Sequence, residues 1–136
     1  MKYEFLPHTA DTKIRAYGKS LEEAFMNAAL ATTDTITDHT EIKQTVEKKI
    51  EVSSENKEAL LYDFLEELLI LQDTDDFLLS EVKDLKIDNL KLTATFVGDT
   101  DSSKYEIRTH VKAITYQEMF IKEEDNLITI QFVLDL

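Results

Sequence analysis

Polar and apolar residues alternate along much of this chain, and two stretches break that alternation with helical spacing instead. Tyr3 to Leu6 is a short apolar run that predicts a first strand. Pro7 ends it, because proline has no backbone N–H to give to a ladder. From Thr12 to Tyr17, Ile14 and Ala16 oppose Lys13, Arg15 and Tyr17, which predicts a second strand ending at Gly18. The connection between them, Pro7-His8-Thr9-Ala10-Asp11, is polar.

Ser20-Leu21-Glu22-Glu23 has the form of a capping box. The serine hydroxyl can accept from the Glu23 backbone while Glu23 reaches back. Leu21, Ala24, Phe25, Ala28 and Ala29 then recur at helical spacing. The alanines on that face predict close packing on a sheet, and Thr32, Thr33 and Thr35 weaken the helix towards its end. Ile42, Val46, Ile50 and Val52 share one parity against Lys43, Thr45, Glu47, Lys49 and Glu51. This predicts a long strand with one wet side, its dry side interrupted by Gln44 and Lys48. A second helix starts within Ser54 to Lys57 and carries a wide apolar face of Leu60, Leu61, Phe64, Leu65, Leu68, Leu69 and Leu71.

After Asp73 to Asp76 the pattern is β again. Phe77 to Ile87 suits one strand or two short pieces. Leu90, Leu92, Ala94 and Phe96 alternate with polar residues up to a turn cluster at Gly98 to Ser103. Tyr105, Ile107, Thr109, Val111 and Ala113 continue the alternation, and Ile128, Ile130, Phe132 and Leu134 finish it. Strands joined by short turns favour antiparallel pairing. The expected fold is α+β: a mostly antiparallel sheet with two helices packed on one face, in a single domain over residues 1–136. Strand order is left open by the pattern.

Gly and Pro number only 2 and 1, so no linker or low-complexity segment divides the chain. There is no cysteine, which removes disulfides and thiolate metal sites. No signal-peptide pattern or membrane-length apolar run is present, and a cytoplasmic protein is the expectation. The formal net charge of −13 repels bare nucleic acid. It points instead to cations or a basic protein as partners.

The sequence has no glycine-rich phosphate loop, no cysteine nucleophile and no nucleophile elbow. His8, His39 and His110 lack the helical ligand spacing of a zinc site, so none is expected. Three segments stand out. His8 and Asp11 bracket a tight connection, where Asp11 either closes a turn or presents a carboxylate to a cation. Val133-Leu134-Asp135-Leu136 carries an apolar strand to the last residue, and termini usually fray. If this strand pairs beside the first two, Asp11, Asp135 and the Leu136 carboxylate converge on an oxygen-rich site for a hard cation such as Ca²⁺ or Mg²⁺. Otherwise they are unrelated acids in an acidic protein. Lys112, in Val111-Lys112-Ala113-Ile114-Thr115-Tyr116, lies on a wet strand face or pairs with those carboxylates.

These residues resemble the archease family. His8-Thr9-Ala10-Asp11 with Ile14, Gly18 and Ser20-Leu21-Glu22-Glu23-Ala24-Phe25 is similar to its N-terminus. Leu60-Leu61-Tyr62-Asp63-Phe64-Leu65-Glu66-Glu67-Leu68-Leu69 is similar to its second helix. Val111 to Tyr116 and Val133 to Leu136 follow in the family's order. The resemblance implies an accessory protein rather than an enzyme. Its implied partner is the GTP-dependent, RtcB-type tRNA-splicing RNA ligase, which joins 3′-phosphate or 2′,3′-cyclic phosphate ends to 5′-hydroxyl ends. Archeases promote guanylylation of the ligase's histidine and its multiple turnover. The resemblance assigns a divalent cation, calcium or a similar ion, to Asp11, Asp135 and Leu136. One position departs from the family, which often has His after Thr-Tyr, where this chain has Gln117. A chaperone-like interaction module and a metal-dependent phosphohydrolase are the rival readings. The second lacks a general base and a phosphate cradle.

Overall fold

The structure, a computed structural model, describes residues 1–8 and 10–136. Among them, strands and α-helices follow in the order β1 (Tyr3–Leu6), β2 (Asp11–Gly18), α1 (Leu21–Ile36), β3 (Val46–Ser53), α2 (Lys57–Asp75), β4 (Leu78–Asp88), β5 (Lys91–Asp99), β6 (Ala113–Glu124) and β7 (Leu127–Asp135). The α+β class and the antiparallel pairing hold. The strands divide between two sheets, one in the order β1-β2-β7-β6 and one in the order β3-β5-β4. The last strand is therefore interior to its sheet, paired with β2 on one side and β6 on the other.

Ser20 caps α1, its hydroxyl accepting from the Glu23 N–H at 3.1 Å. The Glu23 carboxylate accepts from the Lys19 N–H at 3.3 Å, one residue before the cap. Thr32, Thr33 and Thr35 do not stop the helix. Their hydroxyls donate to the carbonyls of Ala28, Ala29 and Ala31, which satisfies them inside the protein. Gly18 lets α1 lie against β2: a Cβ there would sit 2.3 Å from the Ala24 nitrogen. Asn56 caps α2, accepting from the Ala59 N–H at 2.8 Å. Asp76 ends α2 in the left-handed conformation.

Leu60, Leu61, Phe64, Leu65 and Leu68 of α2 are buried, while Leu69 and Leu71 pack at the edge of the core. Phe25, Phe64, Phe96 and Phe77 run through that core, with successive ring centroids 5.7, 5.6 and 6.5 Å apart. A fully buried side chain of this size is worth about 1.5–3 kcal/mol relative to leaving it in water.

Three sequence expectations are corrected. The strand expected from Ile42 starts at Val46. Ile42 instead follows a 3-10 turn, His39–Glu41, and packs with Ile36 and Leu78 in a small separate cluster. Residues 105–112 keep their in–out alternation of burial but are not a strand. Their backbone is held by single bonds, such as the Arg108 N–H to the Ile36 carbonyl at 2.7 Å. Gly98 belongs to β5 rather than to a turn.

Phe77 to Ile87 resolves into one strand, β4, with register shifts at Leu79/Glu81 and Lys83/Lys86. The stretch Gln117–Glu124, not assigned from the pattern, extends β6 across an irregularity between Thr115 and Phe120. Asn89-Leu90 and Asp125-Asn126 turn the β4–β5 and β6–β7 hairpins, all four with positive φ, as type I′ turns require.

Candidate functional site

The β2–β7 register sets Asp11 directly opposite Asp135. Directly opposed residues of an antiparallel pair project to the same face, with Cβ atoms ~4.5–5.5 Å apart. Asp11 is half-buried and Asp135 exposed. Leu136 is half-buried and packs against the edge of the core. On the other side of β7, Ala113 pairs with Asp135, and the Lys112 N–H donates to the Asp135 carbonyl at 2.7 Å. A terminal strand held on both edges does not fray, so Asp135 has a defined position. Ala10, at φ 64, turns the chain into β2 just before Asp11.

His8 folds over this end of the sheet; Thr9, the next residue of the motif, lies outside the described residues. The His8 Nε2 is 2.9 Å from Glu118 Oε2, and Lys13 Nζ is 3.1 Å from Glu118 Oε1. Glu118 sits at φ 54 in the irregular part of β6. The Gln131 amide donates to its carbonyl at 2.8 Å, and the Gln131 Oε1 accepts from Arg15 Nε at 2.8 Å. Hydrogen bonds from Lys13 and then His8 hold the Glu118 carboxyl below its ordinary range. The His8 Nδ1 is buried without a hydrogen-bond partner among the described residues, 3.6 Å from Asp11 Oδ2.

The Lys112 side chain is exposed and makes no ion pair among the described residues. Tyr116, 54% exposed, stacks on Tyr62 of α2 with ring centroids 4.6 Å apart and planes 7° apart. Sequence reasoning singled out His8 and Asp11 but missed Glu118, which lies 110 residues from His8. It enters the site through a local irregularity in a polar stretch, and no periodicity marks it.

A second cluster of ligand-type groups, Asp34, Asp38 and His39, lies at the C-terminal end of α1. Several of its donor atoms are already engaged. Asp34 accepts from the Tyr3 hydroxyl and from the His39 N–H at 2.9 Å, and lies 2.7 Å from His39 Nδ1. Asp38 accepts from the Thr40 N–H and hydroxyl. This cluster closes the end of a helix. A cavity of about 600 Å³ is lined by residues such as Lys43, Tyr105 and Arg108 and by none of Asp11, Asp135 or Leu136. No helix among the described residues is long and apolar enough to cross a membrane.

The sequence matches the Archease protein family over residues 3–136. It is 43% identical to the "Protein archease" of Methanothermobacter thermautotrophicus, with 98% of each chain covered. The solution structure of protein 1598 of Methanobacterium thermoautotrophicum is similar at a TM-score of 0.86 and 41% identity, with 99% of each chain covered. The crystal structure of a Thermotoga maritima archease, described as a possible chaperone, aligns at a TM-score of 0.67 over 96% of this chain and 94% of that one. Its identity is 21%, so it bears on the fold.

Proposed function

The chain belongs to the archease family, and from that premise we propose that it is an accessory protein that activates the GTP-dependent tRNA-splicing RNA ligase. In this reading it promotes guanylylation of the ligase's histidine and repeated turnover, and is not itself a catalyst. The observation that carries the reading is the cross-strand pairing of Asp11 with Asp135 at one end of the sheet.

The donor set there fits a divalent cation. Asp11, Asp135 and the carboxylate of Leu136 offer oxygens, which hard cations prefer. The His8 Nδ1, buried and without a hydrogen-bond partner among the described residues, lies 3.6 Å from Asp11. When bound, the cation supplies positive charge at an otherwise anionic tip. The chain's own residues do the remaining work. β7 holds Asp135 between β2 and β6. The Glu118 bridge to His8 and Lys13 ties the β1–β2 connection to β6. The resulting acidic tip docks at the nucleotide site of the ligase. Phosphoryl and nucleotidyl transfer depend mainly on positioning and charge neutralisation, which such a tip can assist.

The test is ligase guanylylation and multiple-turnover ligation with the cognate ligase, comparing wild type with Asp135→Ala. Stimulation by the wild type and none by a folded variant supports the reading. Equal stimulation by both removes the carboxylate site, and none by either removes the ligase partner. The description of the Thermotoga maritima relative as a possible chaperone favours a second reading, a general protein-interaction module. That reading requires suppression of aggregation for unrelated client proteins.

A further inference from the structure

We infer that the His8 Nδ1 is a ligand of the same cation as Asp11 and Asp135, which makes the site a mixed nitrogen–oxygen site suited to Mn²⁺, Co²⁺ or Zn²⁺ rather than to Ca²⁺ alone. The inference rests on the cation reading proposed above.

An ionised carboxylate only accepts hydrogen bonds. Glu118 Oε2 lies 2.9 Å from the His8 Nε2, so Nε2 carries the proton. In the neutral ring Nδ1 is then a bare lone pair. That nitrogen is buried, has no hydrogen-bond partner among the described residues, and lies 3.6 Å from Asp11 Oδ2. In that tautomer Nδ1 and Asp11 Oδ2 are both acceptors.

A metal ion resolves this arrangement. The 3.6 Å gap is short enough that one ion, with ligands at ~2.1 Å, could be held by both donors. The Glu118–His8 pair supplies what a ligating histidine usually has: a carboxylate on its other nitrogen that fixes the tautomer and raises ligand basicity. Lys13 completes the support by holding the second Glu118 oxygen at 3.1 Å. Imidazole suits first-row transition ions, whereas Ca²⁺ and Mg²⁺ take oxygen ligands. His39 does not compete on the same terms, because its Nδ1 already lies 2.7 Å from Asp34.

The experiment is ¹⁵N NMR of the imidazole nitrogens of the full chain, first metal-free and then with Zn²⁺ alone, followed by Zn²⁺ and Ca²⁺ affinities of variants. The expected result is a neutral Nε2–H tautomer of His8 whose Nδ1 resonance shifts with one equivalent of Zn²⁺. His8→Ala then loses Zn²⁺ affinity by about 10–100-fold while its Ca²⁺ affinity stays within about twofold. His39→Ala changes neither. The NMR readout is made on the wild type, so it stands even if His8→Ala folds poorly. If Zn²⁺ shifts His39 rather than His8, or His8→Ala binds Zn²⁺ as tightly as wild type, the assignment of His8 is overturned. In that event, loss of Ca²⁺ binding in Asp135→Ala leaves the carboxylate site standing. A wild type that binds neither ion overturns the cation reading and His8 together.

Discussion

Asp99 offers the sharpest test of how this structure is held. It ends β5 with 3% of its surface exposed, and groups from four residues converge on its carboxylate. The Tyr105 hydroxyl donates at 2.6 Å, the Thr45 hydroxyl at 2.8 Å, the Thr100 N–H at 2.9 Å and Lys104 Nζ at 3.3 Å. Tyr105 first, then Thr45, with Thr100 and Lys104 behind, hold the carboxyl well below its ordinary range despite burial. Lys104 is 46% exposed and can return to water, so it is left out of the sum. Losing the other three bonds at about 1 kcal/mol each gives ~3 kcal/mol for Asp99→Ala. Asp99→Asn keeps the shape and costs about 2 kcal/mol. With a urea m-value of about 1–3 kcal/mol/M, the Asp99→Ala midpoint falls by about 1–3 M.

The pH dependence carries a definite sign. The folded pKa of Asp99 is depressed, so the unfolded chain takes up the proton first as pH falls. The stabilisation is complete above the unfolded value of about 3.9 and is lost as pH falls below it. The gap between wild type and Asp99→Asn therefore narrows between about pH 5 and pH 2. Urea midpoints at pH 7 and at pH 3 measure it. A gap that is absent at pH 7, or unchanged at pH 3, refutes the account of this carboxylate as a charged hub.

Further predictions follow from single positions. Gly18→Ala drives a Cβ to 2.3 Å from the Ala24 backbone nitrogen, and α1 must shift; thermal unfolding should show a loss of about 1–3 kcal/mol. Ser20→Ala removes the acceptor for the Glu23 N–H and should cost about 1 kcal/mol in the same assay. Asn126→Gly relieves a positive φ in an exposed hairpin turn and should stabilise by up to about 1 kcal/mol by urea titration. Burial and the hydrogen bond to Asp34 raise the Tyr3 pKa, so the folded state holds that proton longer. Stability should fall as pH rises past about 10, and Tyr3→Phe should flatten that limb.

The elements legible in the sequence are those whose periodicity and packing agree. β2 alternates because one face covers the core, and its spacing shows this directly. The wide leucine face of α2 is legible for the same reason. Alternation fails as a guide at Tyr105 to Val111, where one side is half-buried but no neighbouring strand among the described residues supplies a ladder. Pairing is a tertiary event, and a period of two records burial only. The Asp11–Asp135 juxtaposition was legible conditionally, because it needs only that the last strand lie beside β2. Glu118 was not legible: its place depends on a left-handed residue in an exposed, polar part of β6.

In a protein of net charge −13, carboxylates are too common for their presence to mark a site. What separates them is how fully their lone pairs are used. Asp99 is filled by donors from four residues, Asp34 by Tyr3 and His39, and Asp76 by the Ser102 N–H and hydroxyl. Each of these fastens one segment to another, and for the buried Asp99 and the half-buried Asp34 the cost of burial is met inside the chain. Asp11 differs: among the described residues its ion-pair contact is with His8, at 3.6 Å and beyond hydrogen-bond reach. Asp135 has an engaged backbone and no ion-pair partner among the described residues. Two carboxylates brought side by side by strand register, without donors to offset their repulsion, cost stability. Such a cost is expected where a fold serves a ligand rather than itself. Asp135→Asn should therefore raise the urea midpoint of the metal-free protein, and Asp99→Asn should lower it. If both lower it, Asp135 is a structural carboxylate and the contrast fails.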